Sequence, residues 1–259
     1  MRQVTGLRRN GRLLAESKAI ANSFTTAPTS HRQTLIDTAV RNLKGAGIWQ
    51  TLDLLYLLAA ADSQAARINW VNPSANTLTE VNSPTFNADR GFTGDGATMG
   101  LNTTKTPVNA QQNNVHLAAV ALTHGTSSNA DVSMANGATT TRCQVRARNL
   151  TSSLIRTSNN STNISATTGA NVPVMVLGNR VDSANQSIYI NGVADGTGAA
   201  TSSAISGMTQ FCVLYNNLST PLYSDRQIAF ASSGGALTDA QIAAYYTIIN
   251  AYLAAVGAV

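Results

Sequence analysis

The sequence predicts a mainly β protein, a two-sheet sandwich with a short helical region near its N-terminal end and one helix at its C-terminal end. Three observations carry that prediction. From Trp70 onward the chain alternates short strand-like segments with loops rich in Asn, Ser, Thr and Gly, the texture of an all-β sandwich. Within residues 172–251, three apolar strand-like segments surround a tight Asn191-Gly192 turn. One capped amphipathic helix then closes the run, as a plug for the sandwich.

In chain order, residues 1–30 read as a basic arm that ends in the breaker-rich stretch 25–30. Residues 31–70 read as a helical anchoring region. Ser30 and Gln33 stand at capping-box spacing, and Leu35, Ile36, Ala39, Val40 and Leu43 form a helical stripe ended by Gly45-Ala46-Gly47. Ile48, Trp49, Leu52, Leu55, Tyr56 and Ala59 repeat an amphipathic pattern that predicts a second helix, continued by residues 62–67. The sandwich is expected over 71–259, with its main earlier strands at 115–122, 141–148, 153–157 and 172–177 and a long loop over 157–169.

The later elements have firmer local chemistry. Ser187-Ile188-Tyr189-Ile190 is β-branched and aromatic, as strands prefer. Asn191-Gly192 supplies two residues that accept positive φ, which the type I′ turn of a two-residue hairpin needs. Thr238-Asp239-Ala240-Gln241 fits a capping box, with Asp239 placed where the helix dipole favours a negative charge. Ile242, Tyr245, Tyr246, Ile249, Leu253 and Val256 then mark one buried helical face, and Gly257 a stop.

The 259 residues suffice for one large β domain with an appendix. Only 11% of residues are charged and 5% aromatic, a composition that suits a protein packed in an assembly. The net charge of +5 is uneven. Residues 1–44 hold Arg2, Arg8, Arg9, Arg12, Lys18, Arg32, Arg41 and Lys44 against Glu16 and Asp37, whereas the remainder carries nine basic and ten acidic residues. The basicity therefore belongs to the arm, and Arg8, Arg9 and Arg12 are the candidates for docking to a partner protein. The arm has no interleaved aromatics for base stacking, so no specific nucleic acid is expected.

No apolar core or small-residue cleavage site follows the basic start, so no secretory signal is read there. The most apolar run, residues 48–61, includes Asp53 and is too short to cross a bilayer, so no membrane insertion is expected. Cys143 and Cys212 fall on separate predicted strands and are expected as reduced core thiols.

Catalysis is not expected. Glu16 and Glu80 are the only glutamates, and neither has a partner glutamate on its own segment. Retaining glycoside hydrolysis requires paired carboxylates, and Asp89 and Asp95 read as turn formers instead. His31, His116 and His124 show no zinc spacing, and His116 falls in a strand pattern as a core histidine. No nucleophile elbow or phosphate loop is present; Gly91-Phe92-Thr93-Gly94-Asp95-Gly96 reads as a turn. The loop acids Asp131, Asp182, Asp195 and Asp225 are scattered singly, so neither calcium nor another cofactor is expected. Trp70, Tyr215 and Tyr223 are the candidate aromatics for a sugar platform, each equally readable as core, and no glycan-binding residue is assigned.

Several motifs, taken in order, resemble a known family. They are Gly45-x-Gly47-Ile48-Trp49-x-x-Leu52-Asp53-x-Leu55, Ala66-Arg67-Ile68-Asn69-Trp70, and the stretch from Asn82-Ser83-Pro84 to Gly94-Asp95-Gly96. Downstream come the Asn191-Gly192 turn, Tyr215-Asn216-Asn217, Arg226-Gln227-Ile228-Ala229-Phe230 and the helix from Thr238. Over residues 30–259 this order resembles the concanavalin A-like (laminin-G-like) jelly-roll domains common in bacteriophage and prophage structural proteins. The resemblance implies a virion protein, as capsid decoration, fibre or tail appendage. Its N-terminal region would dock on other virion proteins, and its jelly roll would face outward. It also implies a homo-oligomer, with a trimer as one form. The alternative it leaves open is a lectin-like module recognising host surface glycans. One superfold hosts many functions, so the site must decide.

Overall fold

The computed structural model describes residues 12–259 except 105–107, 136–140, 148–151, 160, 167–170 and 206. Four helices are α1 (Ala15–Asn22), α2 (Ser30–Gly45), α3 (Ser63–Ala66) and α4 (Asp239–Ala255). The strands are β1 (Leu52–Leu57), β2 (Thr79–Val81), β3 (Thr85–Asn87), β4 (Gly91–Thr93), β5 (Gly100–Thr104), β6 (Val115–Ala121), β7 (Val132–Ala135), β8 (Arg142–Arg146) and β9 (Leu154–Asn159). They continue with β10 (Ile164–Ser165), β11 (Val174–Arg180), β12 (Asn185–Ile190), β13 (Val193–Ala199), β14 (Gln210–Val213), β15 (Tyr215–Asn216), β16 (Leu222–Tyr223) and β17 (Gln227–Gly234).

Fifteen of these strands form two antiparallel sheets, and β15 and β16 pair with each other as a separate hairpin. Sheet A runs β13-β12-β11-β6-β17-β4-β3, with β1 also paired to β17; sheet B runs β10-β9-β8-β7-β14-β5-β2. The chain is thus a mainly β, jelly-roll-like sandwich with helices near both ends, as expected. The Asn191-Gly192 hairpin forms as read, pairing Ile190 with Val193 while both turn residues take positive φ. Between the sheets lie Leu117, Ala119 and Ala121 of β6, Val174 and Val176 of β11, and Phe211 and Val213 of β14. The sheets press together at Gly178 of β11, where an added Cβ would sit 2.9 Å from the Ile155 Cβ of β9.

Sheet A is apolar on its other face as well. Ala118 and Val120 of β6, Met175 and Leu177 of β11 and Phe230 of β17 point outward, away from sheet B. They meet Ile36, Val40 and Leu43 of α2 and Ile242, Tyr245, Ile249 and Leu253 of α4 in a second core. The molecule therefore has three layers, sheet B, sheet A and helices. Tyr252 joins Ile242, Tyr245, Ile249 and Leu253 on the buried face of α4, whereas the expected Tyr246 and Val256 are half-buried.

Three expectations are corrected. The second helix over residues 48–59 is instead a 3-10 turn (Trp49–Thr51) followed by β1, which pairs with β17 from Leu52↔Gly234 to Leu57↔Phe230. Residues 31–70 are therefore not uniformly helical, and sheet A begins inside them. Buried on both faces, β1 shows no strand alternation, and its apolar run mimics a helical stripe. The α2 cap is Thr29 rather than Ser30: the Thr29 hydroxyl accepts from the Arg32 N–H at 3.2 Å, and the Gln33 side chain donates to the Pro28 carbonyl. The expected loop over 157–169 is strand at its start, where β9 reaches Asn159, and contains β10.

The N-terminal stretch folds from Leu14 onward. The Leu14 N–H donates to Asp37 at 2.7 Å, Glu16 pairs with Lys44, and Ile20 of α1 is fully buried. Arg41 pairs with Asp37 and donates to the Arg12 carbonyl. Three of the basic residues that made the region look like a free arm, Arg32, Arg41 and Lys44, are thus held in ion pairs. Arg12 is exposed, while Arg8 and Arg9 lie outside the described residues.

Candidate functional site

The two outward surfaces of the sandwich differ. The outer face of sheet A is sealed by α2 and α4, whereas the outer face of sheet B mixes polar side chains with the buried Ala135, Leu154 and Cys212. Strand β8 shows why: Arg142, Gln144 and Arg146 alternate with the buried Cys143 and Val145, whose side chains enter the inter-sheet core. Period-two alternation then places Arg142, Gln144 and Arg146 together on the outer side. Register extends the face sideways. Gln144 lies opposite Arg156 of β9 and Ser133 of β7; Ser133 lies opposite Cys212 of β14, and Cys212 opposite Asn102 of β5.

The hairpin β15-β16 covers one end of this row. Ser133 donates its hydroxyl to the Tyr215 carbonyl, and the Asn102 side chain donates to the Tyr215 hydroxyl at 2.6 Å. Gly100 makes room for that ring, since a Cβ there would lie 2.4 Å from it. Tyr223 stacks on Tyr215 with centroids 5.2 Å apart and planes at 17°. Past this aromatic wall lie Arg142, Gln144 and Arg146, each half-buried, and the buried Arg156. The main contacts of β8 and β9 are their sheet neighbours and the strands of sheet A behind them.

Electrostatics give the open end its character. Burial lowers the pKa of Arg142, Arg146 and Arg156 below the ordinary arginine value; for Arg156 the value is about 10, and neighbouring Arg142 adds to the effect. Among the described residues neither Arg142 nor Arg146 is in an ion pair. Arg156 donates to the Asn163 side chain at 3.0 Å and to the Ser161 carbonyl at 2.8 Å. Arg146 donates through Nη1 to the Ser128 carbonyl.

Most carboxylates serve as braces. Asp53 accepts the N–H groups of Val108, Asn109 and Ala110, and Asp95 those of Ala97, Thr98 and Met99, the turn role expected of it. These bonds hold the Asp95 pKa well below the usual carboxylate range. Asp225 accepts from Thr126 and Ser127, and its pKa falls to about 2 despite partial burial. Asp89, also expected as a turn former, has positive φ and pairs with Arg32. Asp131 is buried against Arg226 at 3.1 Å and accepts from Ser224 and Ala147; burial is the largest influence on it and raises its pKa.

The other candidates fall into place. Trp70 is 2% exposed and packs edge-on against Tyr252, so it is core and no sugar platform. His116 is buried beneath Tyr245 with Nδ1 2.5 Å from the Gly235 carbonyl, and burial lowers its pKa to about 4. Cys143 and Cys212 are both buried free thiols. Among the described residues no three His, Cys, Asp or Glu side chains gather as a metal set. A cleft of about 230 Å³ between the α1-α2 connection and Tyr252 is mostly apolar, with the Arg32–Asp89 pair at its edge.

Sequence reasoning missed the arginine face. The signal was there: residues 132–181 contain Arg142, Arg146, Arg148, Arg156 and Arg180 and no acid. Summing charge over residues 45–259 concealed it.

No protein-family model and no curated protein matches the chain. Solved structures do match in shape. The receptor binding domain of the botulinum neurotoxin C/D mosaic serotype aligns over 77% of this chain and 52% of its own, with a TM-score of 0.54 and 10% identity. The botulinum neurotoxin serotype D binding domain aligns over 78% of this chain and 52% of its own, at 0.52 and 11%. Trypanosoma rangeli sialidase in complex with sialic acid aligns over 82% of this chain and 38% of its own, at 0.53 and 10%. The chain spans about half or less of each of these proteins, and at such identity the likeness is one of fold.

Proposed function

We propose that the protein is a non-enzymatic, lectin-like binding module that presents the outer face of sheet B to host surface glycans from a phage particle. The observation that carries the binding reading is the asymmetry of the sandwich: one outer face is sealed by helices, and the other holds polar and aromatic side chains in register. Amide, hydroxyl and guanidinium groups beside a stacked aromatic pair are the groups that orient sugars in shallow sites. Two of the fold neighbours are named as binding domains of a toxin, and a third holds a sialic acid, which accords with this use of the scaffold. The non-catalytic reading draws on the carboxylates, since Asp53, Asp95, Asp131 and Asp225 are engaged in bracing loops or an internal ion pair.

The particle setting rests on the motif order, with Arg8, Arg9 and Arg12 as docking residues and the oligomer formed beside the helical layer. The test is glycan-array binding by the full chain together with incorporation into phage particles. Binding is expected to fall at least tenfold in Gln144→Ala combined with Tyr223→Ala, and to survive reversal of Arg8, Arg9 and Arg12 to Glu. That reversal should abolish incorporation. An array without signal sinks the module; unchanged incorporation sinks the docking role.

A further inference from the structure

The geometry points to an acidic glycan, an extended saccharide bearing carboxylates or sulfates, as the ligand of the Arg142–Gln144–Arg146 face; this rests on the binding-module reading and specifies its ligand. Arg142 and Arg146 are four residues apart on one strand, about 13 Å at the usual rise, with Arg156 opposite Gln144 between them. Arg156 is buried and bonded to Asn163 and Ser161, so it stands behind the face as fixed positive charge. The two half-buried guanidiniums of Arg142 and Arg146 suit a polymer with repeated charge better than a single monosaccharide.

Three observations on hydrogen bonding and charge support this. The Nε atoms of both Arg142 and Arg146 are buried without a partner in the protein, although buried donors are nearly always paired. Among the described residues neither arginine is in an ion pair; Asp131 acts on Arg146 only from a distance and is itself paired with Arg226, and partial burial makes the remaining charge costly. Guanidinium matches planar oxyanions through two parallel hydrogen bonds, so a carboxylate or sulfate would supply the missing counter-charge, and would meet the Nε donors once the side chains turn outward. The acceptor side is also represented. Gln210 of β14 keeps its side-chain oxygen unpartnered and lies opposite Ala135 of β7, the strand next to β8. An acceptor beside a row of donors suits a ligand with both hydroxyl and anionic groups. Arg180 and Arg226 do not contribute, since they are buried against Thr157 and Ala200 carbonyls and against Asp131 respectively.

The test compares binding of the full chain to polygalacturonate, dextran sulfate and neutral dextran, with a single-stranded oligonucleotide as a non-saccharide polyanion, across rising salt. The expected result is salt-sensitive binding to one or both acidic polysaccharides and none to dextran. Arg142→Gln and Arg146→Gln should each weaken it about tenfold, with unfolding temperature not lowered. Arg142→Lys should recover only part of the loss, because an ammonium lacks the fork. The two acidic polymers distinguish carboxylate from sulfate. Dextran or other uncharged array members bound equally well, with no effect of the Gln variants, would overturn the acidic ligand and leave the binding module standing. Oligonucleotide bound as tightly as the polysaccharides would overturn it in favour of a general polyanion surface. Binding to no saccharide would remove both.

Discussion

Arg226 shows how one side chain of a recognised motif earns its place. It opens the Arg226-Gln227-Ile228-Ala229-Phe230 strand, is fully buried, and reaches Asp131 at 3.1 Å and the Ser127 carbonyl at 2.8 Å. Asp131 in turn accepts from Ser224 and from the Ala147 N–H, so the pair ties β17 to the connections around β7 and β8. Two charges taken from water gain little together, but removing one strands the other. Arg226→Ala should therefore cost about 3–5 kcal/mol in chemical denaturation. Arg226→Ala with Asp131→Asn should recover part of that loss; no recovery would place the cost in lost packing. Gly178 and Gly192 are comparable single-residue requirements, one for close approach of the sheets and the other for positive φ in the hairpin.

Among the elements, legibility followed exposure. The closing helix was readable because its start is local chemistry: the Thr238 side chain accepts from the Gln241 N–H, and the Gln241 side chain accepts from the Thr238 N–H. The same glutamine donates to the Gly47 carbonyl, joining the end of the α2 turn to α4, a contact that no local pattern announces. Thr238→Ala should lower stability by about 1 kcal/mol, seen as a small drop in midpoint at unchanged denaturant slope. A loss several times larger would mean that the cap also holds the helical layer in place. Strand β8 was readable because one face is buried and the other half-exposed, and β1 was misread because neither face is exposed. The arginine face was only partly legible. Its charge lies in the acid-free run 132–181, but the neighbourhood of Arg156 and Gln144 depends on strand register.

At the scale of the whole molecule, the three layers decide how stability responds to acid. His116 lies on β6 between sheet A and α4, against Tyr245, and burial lowers its pKa to about 4 from an ordinary value near 6.5. The unfolded chain takes up this proton first. Its contribution is therefore fully present above about pH 6.5 and is lost as pH falls toward 4, at up to about 1.4 kcal/mol per pH unit. The Asp225 brace, with a pKa of about 2, adds its loss only below the ordinary carboxylate range. Denaturation midpoints should accordingly begin to decline above pH 4, and His116→Gln should flatten that upper part of the profile. A wild-type profile already flat between pH 6.5 and 4.5 would show that His116 is protonated without opening the layers.

The sequence by itself determined the mainly β class, the Asn191-Gly192 hairpin, the capped final helix and the scarcity of paired catalytic carboxylates. Each depends on residues adjacent in the chain or at fixed spacing, and local backbone chemistry settles them. Only the tertiary structure decided that residues 52–57 are a strand, that Trp70 is core, and that Arg32, Arg41 and Lys44 are neutralised. It also decided that one sandwich face is sealed while the other gathers arginines. The physical reason is that burial and charge pairing are set by partners far along the chain. Asp89 reaches Arg32 across 57 residues and β17 covers β1 from the opposite end, so neither is written in the segment it acts on.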